Sequence, residues 1–257
     1  ESCNEVRRII RQVKPEVVFL EVCSDRVAML MPMDHLQQLP SLAELIAVWR
    51  SNKSNAFALI YGYLLAKVAA RMEVCPGAEF RAAYEEAVAC GAVVKLGDRP
   101  VQVTLRRTWA MMSRWHRVKL VALLLLQALC LPSKAQLHHL VEELKSSDLL
   151  SLAVAEMARA FPSLLTTLIH ERDLYMACML RHVAKRSSRV VAVVGKGHVA
   201  GITANWTRSD IDVAALLRMP APPAPLFSPL AWRCLLAGMA VGGVGVAALT
   251  ITAWRSR

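Results

Sequence analysis

The chain has no CxxC and no zinc-like cysteine pairing. Its seven cysteines (3, 23, 75, 90, 130, 178 and 234) are scattered singly over 257 residues. That spacing, in a chain of this size, argues against a disulfide scaffold and for a reducing compartment. Acidic residues are missing from two long stretches. Arg99 to Val141 carries seven Lys or Arg and no acid, and Leu174 to Ser209 carries six and no acid. The net charge is +11. Basic surface of this kind faces nucleic acid, an anionic membrane or an anionic ligand. No zinc finger, RNP signature or other nucleic-acid module is present, so no nucleic-acid partner is expected. Internal repeats are absent too.

What is present begins with a β-branched run, Arg189-Val-Val-Ala-Val-Val-Gly-Lys-Gly-His198. Unalternated Val190, Val191, Val193 and Val194 predict a parallel strand buried on both faces. Gly195 and Gly197 permit the tight turn after it. Ligands of open α/β sheets gather at the carboxyl ends of strands, which singles out His198. By spacing alone it is either a functional side chain or a loop histidine that ends the strand.

Two more strand-like pieces are Glu16–Glu21 and Ala92–Leu96. Helices are predicted before Pro15 (Val6, Ile9, Ile10, Val13), over Ala56–Met72, from Pro76-Gly77 through Val88, and from Pro162 to about Lys185. Ser24 is a candidate cap for a short helix, and Leu137, Leu140, Val141 and Leu144 form a helical stripe. Strands separated by helices give an α/β fold: a small parallel sheet surrounded by many helices. Glu21 with Arg26, Asp98 with Arg99, and His198 all fall at strand ends. Arg172 interrupts the apolar stripe Leu165, Leu168, Ile169, Met176, Met179, Val183. A charge there must be paired or line a site; Glu21, Glu79 and Asp98 are the available partners.

The C-terminus reads differently. Five prolines lie between Pro220 and Pro229, so residues 213–230 form a stiff linker. Leu235–Trp254 is 20 residues without a charge, flanked by Arg233, Arg255, Trp232 and Trp254. That predicts a transmembrane helix, with residues 231–257 as anchor and short tail. Inserted after translation, it places the domain in the cytosol, on the outer mitochondrial membrane or the endoplasmic reticulum. Gly238 and Gly242 make a GxxxG, the basis for expecting a homo-oligomer. The basic, aromatic segment Arg106–Lys119 either lies on an anionic bilayer or is a solvated helix face.

Taken in order, Val17-Val-Phe-Leu-Glu21-Val-Cys-Ser-Asp-Arg26, Gly77-Ala-Glu79-Phe-Arg81, Leu96-Gly-Asp98-Arg99-Pro100, Glu171-Arg172-Asp173 and Gly195-Lys-Gly-His198 resemble the TraB family, with its PrgY and Tiki branches. The resemblance makes residues 1–212 a TraB domain, and the C-terminal span is similar to that of the membrane-anchored members. It implies a metal-dependent hydrolase or peptidase-like activity. His198 and Glu21 would be ligands of a divalent metal ion, Mn²⁺ or similar. Glu21, His198, Arg172, Asp98 and Arg99 would be the catalytic set. Arg26, Glu79, Arg81, Glu171 and Gly195 would be the cofactor-binding set. Family members carry two GxxH motifs. Gly195–His198 matches the second, and the first would end a strand upstream of Glu1. The resemblance thus implies a domain lacking its first strand and one ligand, inactive as it stands. The competing expectation is a non-enzymatic membrane-anchored scaffold in mitochondrial or organelle organisation, with a protein or peptide partner.

Overall fold

The computed structural model describes residues 2–31, 77–129, 133–137 and 147–221, with single turns at 62–64, 67–68 and 139. Most of the predicted helix 56–72, most of the Leu137–Leu144 stripe, the second half of the proline linker and all of the predicted span lie outside the described residues.

Among the described residues three parallel strands form the sheet, in the order β2-β1-β3. They are β1 (Val17–Leu20), β2 (Val93–Leu96) and β3 (Val190–Val193). Helix α1 (Ser2–Val13) precedes β1, and a 3₁₀ segment, Ser24–Leu30, follows it. Helix α2 (Ala78–Ala89) leads into β2. Then come α3 (Val101–Met111), α4 (Arg114–Leu129) and α5 (Ser147–Ala160). One continuous helix follows: α6 (Pro162–Leu165), a π turn at Thr166–His170, and α7 (Glu171–Ala184). Pro162 opens it from the first turn, where its missing N–H costs nothing. After β3 come α8 (Lys196–Ala204) and α9 (Val213–Leu217).

Side-chain alternation explains the layering. On β1, Val18 and Leu20 point to one face, where Ile10 of α1 and Ala83 and Ala87 of α2 complete a core. Phe19 points to the other, against Met176 and Ala177 of α7 and Ile202 of α8. All four β1 residues are buried. Burying each such side chain contributes about 1.5–3 kcal/mol. A separate cluster, Leu105, Met112, Leu120, Phe161 and Leu164, joins α3, α4 and α6.

Three expectations need correction. The valine run of β3 is not covered on both faces: its residues are half-buried or exposed, because β1 holds the centre of the sheet and β3 flanks it. Ser24 does not cap its helix; Cys23, in extended backbone, takes that position and makes no side-chain cap. The basic segment 106–119 is not one cationic face. Arg107 turns inward to Glu171, while Arg117 donates to the carbonyl of Trp109 and stacks 5.6 Å from its ring. Arg117 is buried, but Trp115 stays 71% exposed.

Gly97 ends β2 by close approach. A Cβ there would meet the Phe19 ring at 1.8 Å. Its N–H donates to the Leu20 carbonyl, and that of Asp98 to Val22, so pairing with β1 runs on past the strands. The sheet therefore delivers Glu21, Asp98 and, through the first turn of α8, His198 to one carboxyl edge.

Candidate functional site

Glu21 is the first residue beyond β1. One of its carboxylate oxygens, Oε2, accepts the backbone N–H of Gly195 at 2.6 Å, at the N-terminus of α8. Carboxylates are favoured at that end by free N–H groups and the helix dipole. The other oxygen, Oε1, accepts from Arg172 Nη2 at 2.6 Å and faces His198 Nε2 at 3.2 Å. Burial would raise the Glu21 pKa. Hydrogen bonds from His198 and Gly195, and the charges of His198 and Arg172, outweigh burial and hold it at about 2.

Arg172 supplies the middle of the site. Its guanidinium grips Asp98 side-on, Nε to Oδ1 and Nη2 to Oδ2, both at 2.9 Å. Nη1 donates to the Leu168 carbonyl and lies 3.1 Å from His198 Nε2. Asp98 is further held by Arg26 Nη2 at 2.8 Å and by the Arg99 backbone N–H. The side chain of Arg26 is 42% exposed and forms the open rim.

His198 Nδ1 lies 2.6 Å from Asp173 Oδ1. A ring nitrogen serves one partner at a time. Neutral, Nε2 accepts from Arg172; protonated, it donates to Glu21. Burial opposes the charged ring. Hydrogen bonds to Asp173 and Glu21, and the charge of Glu21, outweigh it and lift the His198 pKa to about 9. At neutral pH the ring is an imidazolium between two carboxylates. Gly201 makes room for this: a Cβ there would stand 1.9 Å from Asp173 Oδ2.

Beneath lies a second ion cluster. Arg99, fully buried, donates to Glu171 Oε2, Thr104 Oγ1 and the carbonyls of Thr167 and Leu216. Arg107 forks onto both oxygens of Glu171 at 2.6 and 2.7 Å, and reaches the carbonyls of Ala215 and Arg218. Glu171 with its two arginines therefore ties α3, α7 and the α9 region together.

A family model described as TraB/PrgY/gumN matches residues 1–209. The chain belongs to the TraB/PrgY/gumN family. It is 37% identical over 247 residues to a TraB domain-containing protein of Bos taurus, covering 87% of this chain and 64% of the bovine one. The human protein of the same name is 36% identical over 245 residues, covering 86% and 63%. An uncharacterised protein of Methanocaldococcus jannaschii is 27% identical over 236 residues, covering 85% and 54%. The chain spans just under two thirds of the length of the first two relatives.

In this TraB-family domain Glu21, Asp98, Arg172, His198 and Gly195 converge, with Arg26 at the rim. The sequence offered Glu21, Glu79 and Asp98 as alternative partners of Arg172; Glu21 and Asp98 both pair with it, together. Arg99 and Glu171 sit in the deeper cluster. Glu79 and Arg81 do not join either cluster among the described residues. Glu79 lies in the first turn of α2, and Arg81 donates to the Met29 carbonyl in the 3₁₀ segment. Asp173 and Arg107 were not singled out as site residues. Asp173 had a visible signal, an acid directly after Arg172; Arg107 had none, because its partner is 64 residues away.

Glu21 and His198 were the expected metal ligands. The residues described do not fit a resident divalent ion. Glu21 Oε1 and His198 Nε2 face each other and the Arg172 guanidinium, whose positive charge stands where an ion would need their lone pairs. Among the described residues no group of three or more His, Cys, Asp or Glu side chains is arranged to hold a metal. No helix among them is long and apolar enough to cross a membrane.

Proposed function

We propose that the domain is a hydrolase, peptidase-like, in which His198 is the general acid. The observation that carries this reading is the double engagement of its ring, Asp173 on Nδ1 and Glu21 on Nε2. Such a pairing keeps the ring protonated at neutral pH, with the Nδ1 proton on Asp173 and the Nε2 proton shared with Glu21, the longer and weaker of the two contacts. In amide or ester hydrolysis the Nε2 proton would pass to the leaving nitrogen or oxygen as water adds to the carbonyl carbon and the C–N or C–O bond breaks. The proton lost by the attacking water would pass to solvent or to the vacated Nε2, restoring the imidazolium. Glu21, at about 2, is too weak a base to activate water and acts as a positioning residue for the imidazolium. Arg172 and Asp98 fix Glu21 in place.

The test is hydrolysis of a fluorogenic peptide and ester panel by the full-length gene product. His198→Gln lowers kcat/KM by about 10²–10⁴-fold, and the wild-type rate falls as pH rises through about 9. A rate unchanged by the substitution removes His198 from the chemistry.

A specific observation favours a second reading, a membrane-anchored scaffold. All four carboxylate oxygens of Glu21 and Asp98 already accept N–H donors, as a purely structural network requires. Anchoring through Leu235–Trp254 in the outer mitochondrial membrane or endoplasmic reticulum, with the domain in the cytosol, fits either reading and rests on the uncharged run alone. Self-association through Gly238 and Gly242, or a peptide partner, would belong to the scaffold. Under that reading deletion of 235–257 abolishes function while His198→Gln is tolerated.

A further inference from the structure

We propose that Arg172 is the resident cation of this site. Its guanidinium excludes a divalent ion, and removing it opens a divalent-cation site lined by Glu21, Asp98 and His198. The geometry is specific. One atom, Arg172 Nη2, lies 2.6 Å from Glu21 Oε1 and 2.9 Å from Asp98 Oδ2. The neighbouring Nη1 lies 3.1 Å from His198 Nε2. Two carboxylates and an imidazole therefore surround one planar cation, from chain positions 21, 98 and 198. Three protein ligands of these types are what a catalytic divalent ion ordinarily takes.

As they stand the three side chains are too widely spaced to hold an ion. An ion at the Nη2 position would need the carboxylate oxygens to close by about 0.5–0.8 Å to reach ordinary metal–oxygen lengths of roughly 2.1 Å. The guanidinium and the ion are mutually exclusive. Both use the same lone pairs, and the ion would also require His198 to give up its Nε2 proton. Arg172 is anchored by all of Asp98, Glu21 and the Leu168 carbonyl, so it does not vacate the place cheaply. Arg26 stays on Asp98 from the rim and does not reach Glu21 among the described residues. With Arg172 truncated, Glu21 and Asp98 lose the cation they share, while Arg26 stays on Asp98 and the buried Arg99 charge still acts on it.

The inference concerns ion binding alone and stands whether or not the site hydrolyses anything. The experiment is equilibrium dialysis of the full chain against Mn²⁺, read by electron paramagnetic resonance, with thermal unfolding in Mn²⁺ and in chelator. Wild type binds no Mn²⁺ that Glu21→Gln can remove, and its midpoint is the same in both buffers. Arg172→Ala binds about one equivalent. Its midpoint rises by roughly 5–10 °C when Mn²⁺ is near a hundred times its Kd. Arg172→Ala combined with Glu21→Gln loses both effects. Arg172→Lys, which keeps a charge in the pocket, folds and binds none. A wild-type chain that takes up one Mn²⁺ lost in Glu21→Gln overturns the proposal. So does an Arg172→Ala chain that folds and binds nothing, or one that stays unfolded in excess Mn²⁺. The acid role of His198 is tested apart from it, by the rate of wild type against His198→Gln in chelator.

Discussion

Raising the pH should weaken this domain, and the loss should run through one ring. His198 has a folded pKa of about 9 against an ordinary 6.5. A raised pKa means the folded state holds the proton more tightly than the unfolded chain. Its contribution is full below pH 6.5, declines between 6.5 and about 9, and is gone above that. One pKa unit is about 1.4 kcal/mol, so the whole contribution is about 3 kcal/mol. The side chain is only 12% exposed, so water screens little of it. The depressed Glu21 pKa is the same contact seen from its partner and is not added. Its own signature lies at acid pH: stability present above 4.5 and lost as pH falls through about 2. The assay is urea unfolding of the full chain in mild detergent at pH 6 and pH 10, wild type beside His198→Gln. Other titrating groups cancel in the difference between the two proteins. That difference should be about 3 kcal/mol at pH 6 and under about 1 kcal/mol at pH 10. Two proteins whose gap is the same at both pH values would refute the charged-ring geometry.

Other consequences are as direct. Arg99→Met strips Glu171 of one of two partners and leaves the Thr167 and Leu216 carbonyls without their donor. It should cost about 3–5 kcal/mol in chemical denaturation, and a loss under about 1 kcal/mol would show the deeper cluster to be dispensable. Gly201→Ala places a Cβ against Asp173 Oδ2 and should push that carboxylate off His198. The imidazole titration followed by NMR should then move down from about 9 towards 6.5. An unmoved titration would mean that Asp173 does not set it.

The parts of the fold written in local chemistry were readable from the sequence. The apolar run ending at Glu21, the Gly-Asp after Leu96, the Pro162 start and the glycines before His198 mark element ends by backbone constraint alone. Strand order was not readable. Three similar apolar runs do not say which lies in the middle, and the run richest in valine turned out to flank β1 rather than sit inside the sheet. The site followed the same division. Arg172 declared itself by standing on an apolar stripe, and charge narrowed its partners to Glu21, Glu79 and Asp98, of which the fold uses the first and last. The grip of Arg107 on Glu171, 64 positions away, depends on how α3 meets α7, which no local pattern encodes. Glu79 and Arg81 illustrate the opposite failure. They were assigned to the site only through the family resemblance of their own separate motif, and α2 aims Arg81 at the Met29 carbonyl.

The π turn at Thr166–His170 has one further meaning, for insertions and deletions. It adds a residue to what would otherwise be a regular helix, and the next three side chains serve three tasks: Glu171 the deeper cluster, Arg172 the carboxylates, Asp173 the imidazole. A helix turns by about 100° per residue. Deleting one residue within 166–170 would let the segment relax to regular α-helix and re-phase everything after it against everything before. Arg172 and Asp173 would each swing about a quarter turn from their partners while the apolar stripe lost its facing surface. A single-codon deletion at 166–169 should therefore do more harm than most substitutions in the site, although it removes no titratable group.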